Sequence, residues 1–202
     1  MLNQENQDAQ VLLSNLPRGK HLAIIGSTSF WHTDSEKTCH ALGYAWADLP
    51  DAVLLTGGVS GIGEACGRSF YQRRLDLKLP DQVFHILPHG MAAWDYGQTL
   101  YAGQDMSERR AILARMVSVY VVIEGGPATA DEVRIALANG AIVIPLARSG
   151  ACARATYTQI VKPAQVDSNA WAILGNDAAS IEQTVSATMK IILGLFSTEM
   201  RK

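Results

Sequence analysis

The sequence predicts an α/β fold, a Rossmann-like doubly wound parallel sheet with helices on both faces. Three observations carry this. Short, continuously apolar runs alternate with longer helix-like stretches, and two of those runs end in a Gly-Gly turn that opens a helix. The 202 residues, 48% hydrophobic and 18% charged, suffice for one core of ordinary size and are short for two, so residues 1–202 read as one domain. The apolar runs lie at 21–26, 52–56, 82–87, 119–123 and 141–146. Runs without polar alternation suit parallel strands covered on both faces. The second, fourth and fifth runs are expected as neighbours in the buried middle of the sheet.

Helices are predicted at about 35–48, 61–76, 105–117, 129–139 and 177–196, with Asp34 or Ser35, Ser107 and Asn139-Gly140 as capping signals. The start reads as a polar segment. The stretch 88–104 holds three glycines and three aromatics and reads as a functional loop. Residues 147–170 give no clear element.

Charge and cysteine usage narrow the function. Lys plus Arg is 17 and Asp plus Glu is 19, a net charge of −2, without the basic excess of a nucleic-acid binder. Cys39, Cys66 and Cys152 are odd in number and widely spaced, and they form neither a disulfide framework nor a zinc site. No metal-ligand cluster is visible. No apolar run approaches the ~18 residues of a membrane span, and the start shows no signal-peptide pattern. A cytoplasmic protein is expected, without membrane or nucleic-acid partners.

The segments VLLTGGVSGIGEA and YVVIEGGPATADEV share a layout of strand, Gly-Gly and helix start, with Glu64 lying opposite Glu132. In open α/β sheets ligands bind at the carboxyl ends of the strands. Glycine turns there let backbone N–H groups and the helix dipole attract phosphate. Thr56-Gly57-Gly58-Val59-Ser60-Gly61-Ile62-Gly63 also fits the TGxxxGIG string of short-chain dehydrogenases. It follows the second strand instead of the first, however, and no Tyr is followed four residues later by Lys. Nor does an acidic residue end the next strand to hold a ribose hydroxyl. A P-loop fails too, because no Gly-Lys-Ser/Thr follows the glycines.

In the second segment, Thr129 and Glu132 have capping-box spacing, which would make Glu132 a helix cap. Upstream lie Arg109 and Arg110. One of them is expected on a solvated face, and an Arg aimed at the glycine turns would supply bidentate charge to a phosphate. Among other candidates, His85, His89 and Cys66 read mainly as packing residues. Trp94, Tyr96 and Tyr101 either stack on a base or close a core edge.

The string Met106-x-Glu108-Arg109-Arg110, followed by V-x-V-I-E-G-G-x-x-T-x-x-E, resembles the LOG (Lonely Guy) family, long misannotated as lysine decarboxylases. That family lies within the SLOG superfamily, which also holds nucleotide-sensing domains. The resemblance covers about residues 21–146. It implies a hydrolase, a phosphoribohydrolase that cleaves the N-glycosidic bond of a nucleoside 5′-monophosphate to free base and ribose 5-phosphate. Arg109 and Glu132 then take the catalytic roles, and Gly57, Gly58, Gly61, Gly125, Gly126 and Thr129 the phosphate-binding ones. It further implies a nucleotide ligand, no cofactor, no metal and a homodimer. Three positions depart from the pattern: Thr56, Glu124 and Ala128 stand where the family has Gly, Pro and Gly. An acidic Glu124 would weaken anion binding if it pointed inward. The alternative is a noncatalytic SLOG-type module that binds a nucleotide or an ADP-ribose-like ligand. The six lysines all lie away from both glycine turns, which argues against a pyridoxal decarboxylase.

Overall fold

A computed structural model describes residues 4–199. Six strands form one all-parallel sheet: β1 (Lys20–Gly26), β2 (Ala52–Thr56), β3 (Val83–Leu87), β4 (Gln98–Tyr101), β5 (Val119–Ile123) and β6 (Ile142–Pro145). Their order across the sheet is β4-β3-β2-β1-β5-β6. Strands β2 and β5 are therefore not adjacent. β1 lies between them, pairing Ile24 with Thr56 on one side and with Val121 on the other. β6 is an edge strand, not part of the middle, and pairs only with β5.

Among the described residues eight helices cover the sheet: α1 (Gln4–Ser14), α2 (Ser35–Ala47), α3 (Ile62–Asp76), α4 (Met106–Leu113), α5 (Pro127–Ala138), α6 (Ala151–Gln159), α7 (Ser168–Leu174) and α8 (Ile181–Glu199). Alternate strand residues feed two cores. Leu22, Ile24, Leu54, Val121 and Ile123 pack with Leu42, Trp46 and Phe70 of α2 and α3, and with Ile191 and Ile192 of α8. Ala23, Ile25, Leu55, Tyr120 and Val122 pack with Ile112 and Leu113 of α4, Val133 and Ala136 of α5, and Ala9 of α1. This two-sided burial is why the strands read as unbroken apolar runs.

Several boundaries differ from the sequence reading. The polar start is helix α1, whose Ala9 is buried. The long loop contains β4, a short edge strand with Gln98 and Tyr101 exposed, so it carries no apolar run. Residues 147–170 contain a 3₁₀ turn, all of α6 and the start of α7. Helix α4 is capped by Asp105, whose carboxylate accepts from Ser107 and Glu108 N–H, and not by Ser107. Asp34 makes no side-chain cap and pairs with Arg148 instead.

Both glycine turns sit at the carboxyl edge of the sheet. The chain winds outward from β1 through β2 to β4, then returns to place β5 on the other side of β1. The switch point of the sheet thus falls between β1 and β5, where a crevice opens in such folds.

Candidate functional site

A cleft of about 300 Å³ lies at this switch point, a volume at the small end of ligand sites. The end of β1 and the loop after it contribute Gly26, Ser27 and Thr28. Gly57 comes from the first glycine turn, Arg109 and Arg110 from α4, and Ala128, Thr129 and Glu132 from α5.

Two side chains dominate it. Arg109 Nη1 donates to Glu132 Oε1 at 3.1 Å, and both side chains are more than nine-tenths buried. Arg109 Nη2 approaches the Met106 sulfur, while its Nε lies buried without a partner. Burial disfavours both charges. It pushes the Glu132 carboxyl up to about 7, with Arg109 pulling the other way, and it lowers Arg109, with Glu132 opposing. The pair is thus withdrawn from water between α4 and α5. Of the two arginines, Arg109 turns inward and the half-buried Arg110 lines the cleft beside it.

Gly57 is small for a visible reason. A Cβ there would lie 2.8 Å from Arg109 Nη1, so the guanidinium rests against bare backbone. Thr129 does not cap its helix. The N-cap is Gly126, α5 starts at Pro127, and Thr129 Oγ1 donates to Gly26 O at 3.1 Å. Glu132, one turn further on, bonds Arg109 and not a helix terminus, which overturns the capping box. The first-turn N–H groups of α5 have no intrahelical acceptor, and Ala128 and Thr129 present that turn to the cleft.

Of the expected residues, Arg109, Glu132, Gly57 and Thr129 converge on this one cleft. Gly58, Gly61, Gly125 and Gly126 shape the turns around it. Gly58, at φ +63°, donates its N–H to Thr56 Oγ1 and accepts Trp94 Nε1–H at 2.7 Å through its carbonyl. Gly61 sits where a Cβ would meet Ser27 O and the Thr28 carbonyl carbon at 2.5 Å, so it lets two loops touch. Gly125, at φ +100°, accepts from Cys152 N–H.

Glu124 does not line the cleft. Its buried carboxylate accepts Ser27 Oγ–H at 2.5 Å, Trp31 N–H at 3.0 Å and His32 N–H at 2.7 Å. It fixes the 27–34 loop. Thr56 is likewise engaged, its hydroxyl bonding His85 Nδ1 at 2.7 Å. His85 Nε2–H faces the Tyr96 carbonyl, so Nδ1 is the acceptor and the imidazole is neutral. Burial lowers His85 to about 4. Tyr96 is 5% exposed and Trp94 bonds Gly58, so these rings close a core edge. Tyr101 stacks on His89 at the β4 edge.

Ser27 and Thr28 are polar lining residues that sequence reasoning missed, whereas Arg110 was paired there with Arg109 as a candidate. Gly-Ser-Thr-Ser directly after the first apolar run was the available signal. Among the described residues, no group of three His, Cys, Asp or Glu side chains is placed to hold a metal. No helix among them is long and apolar enough to cross a membrane.

The sequence model of the SLOG cluster4 family matches residues 20–173, most of the chain and all six strands. The chain belongs to the SLOG cluster4 family. Among solved structures, this SLOG protein is similar to TM1055, with a TM-score of 0.64 and 22% identity over 85% of this chain and 99% of that one. It is also similar to the Moco carrier protein of Chlamydomonas reinhardtii, with a TM-score of 0.54, 20% identity and coverage of 62% and 75%. The molybdenum cofactor binding protein of Rippkaea orientalis gives 0.52 and 23%, with the same coverage. At these identities the likeness is one of fold. Comparison with curated proteins gives no match.

Proposed function

We propose that this SLOG protein hydrolyses the N-glycosidic bond of a nucleoside 5′-monophosphate, releasing free base and ribose 5-phosphate. The observation that carries the reading is the buried Arg109–Glu132 pair in a cleft walled by the first turn of α5. Glycosidic cleavage develops oxocarbenium charge on the ribose, and a carboxylate in a dry site stabilises it strongly. Ionised Glu132 faces that charge and takes the proton of the water that attacks C1′. The bonding electrons leave with the base, whose glycosidic nitrogen ends with the proton that Glu132 drew from the water, so that one water is consumed and Glu132 returns ionised. Arg109 holds Glu132 in place and offers its second nitrogen to the substrate. Arg110, the Ser27-Thr28 segment and the α5 N–H groups receive the phosphate, as a helix N-terminus favours anions.

The departure at Glu124 does not count against this, since its carboxylate is spent on the 27–34 loop. The test is incubation with a panel of nucleoside 5′-monophosphates and chromatography for free base. Base release that follows the 5′-phosphate, with nucleosides inert, supports the reading. Binding of nucleotides without release of base from any of them would make the chain a noncatalytic ligand-holding module.

A further inference from the structure

We infer that Trp31 is the stacking platform for the flat base of the ligand, and so a specificity-determining residue of the cleft. This rests on the nucleotide reading of the same site. Trp31 lies on the 27–34 loop, whose Ser27 and Thr28 wall the cleft. Trp31 is 57% exposed, beside Phe30 at 38%.

The ring is exposed and also held. Its backbone N–H donates to the buried Glu124 carboxylate, and its indole Nε1–H donates to Ser29 Oγ at 3.0 Å. Its six-membered edge crosses Gly126, the residue before α5, where a Cβ would come within 3.4 Å of Cη2. The platform therefore stands next to the helix turn whose Ala128 and Thr129 line the cleft. The aromatic candidates of the 88–104 stretch are engaged elsewhere, Trp94 with the Gly58 carbonyl, Tyr96 inside the core and Tyr101 against His89. A pre-oriented ring stacks without the ordering cost of a mobile one. The phosphate and ribose then occupy the cleft while the base leaves it over the indole.

The experiment measures equilibrium binding of one purine and one pyrimidine nucleoside 5′-monophosphate, and of ribose 5-phosphate, to wild type, Trp31→Ala and Trp31→Phe. Base–aromatic stacking predicts that Trp31→Ala weakens both nucleotides about 10-fold or more. Ribose 5-phosphate is unchanged, because it has no base. Trp31→Phe keeps a ring and stays within about 3-fold of wild type for all three. Equal weakening of all three ligands by Trp31→Ala, or no weakening, overturns the assignment. So does a wild type that binds the nucleotides no better than ribose 5-phosphate, or that binds none of them. Light scattering on the same samples covers the rival occupant, a second copy of this chain. A change of assembly state in Trp31→Ala without base-selective weakening assigns the ring to an interface. Base release is scored separately: selective weakening without any base release keeps the platform and defeats the hydrolase.

Discussion

At the first glycine turn, helix α3 begins four residues after Gly58; at the second, α5 begins directly after Gly126. Glu64 is consequently the third residue of its helix, and Glu132 the sixth. Three residues are most of a helical turn, enough to send the two carboxylates to different surroundings. Glu64 bonds Arg68, which is half exposed, whereas Glu132 is buried against Arg109. The turns are also braced differently. A neutral imidazole, His85, holds the first through Thr56, whereas at the second the Glu124 N–H donates to Ser149 Oγ and the Gly125 carbonyl accepts from Cys152 N–H. Equal spacing after a shared motif does not give equal chemistry when the loop before the helix differs in length.

The sharpest way to break the comparison is Glu132→Gln. If its charge faces the developing cation, base release falls about 10²–10³-fold, roughly 3–4 kcal/mol. Hydrolysis within a few-fold of wild type, in a well-folded variant, would end the catalytic assignment. In wild type, kcat/KM should rise with pH through about 7, as Glu132 ionises.

Stability should respond to pH with opposite sign at the two turns. The folded chain holds the Glu132 proton up to about 7, against an ordinary 4.5. Between those values the unfolded chain binds fewer protons, so this group's contribution falls as pH rises. Glu132→Gln has no such proton, and its stability relative to wild type should improve by about 3 kcal/mol across that window. His85 works in reverse. Its folded value is about 4 against 6.5, so its contribution is lost as pH falls from 6.5 through 4. In His85→Asn that acid-side loss should disappear. Denaturant unfolding at a series of pH values checks both slopes.

Next come the glycines. Gly61→Ala sets a Cβ against backbone at φ +85°, and should cost about 2–3 kcal/mol in a denaturant melt. Gly57→Ala meets only the far end of Arg109. It should melt close to wild type while losing about 10-fold in base release, as the guanidinium is displaced. The smallest effect belongs to Glu64→Gln, with activity within about twofold and a melt shifted by less than about 1 kcal/mol. A large activity loss there would restore the equivalence of the two turns.

The strands β1, β2, β3, β5 and β6 are legible in the sequence because burial on both faces leaves an unbroken apolar signature. β4 is not, because an edge strand of four residues with two exposed ends has no such signature. Strand order escapes the sequence where it depends on β1 lying between β2 and β5, which no local pattern encodes. In the site, the motif spacing leads to Arg109 and Glu132. The same spacing suggests a capping box, because Thr129 and Glu132 stand three apart wherever the helix begins. The true start is set by Pro127 at its first position. The roles of Glu124 and Thr56 are illegible for another reason. Their partners, Trp31 and His85, lie 93 and 29 residues away.

That separation bears on how the molecule assembles. Ser27 waits for a carboxylate 97 residues further along the chain, so the local Trp31–Ser29 bond is only part of what sets the shape of the 27–34 loop. Contacts between distant segments form only after loop-closure entropy has been overcome, and they are slow. During synthesis, β1 and the first glycine turn emerge well before residue 124. Until β5 docks beside β1, the Trp31 and His32 amides lack their acceptor and the cleft lacks one wall. Ligand-binding competence should thus appear late in refolding, after the helical signal has recovered, and a chain that ends before residue 124 should acquire none of it.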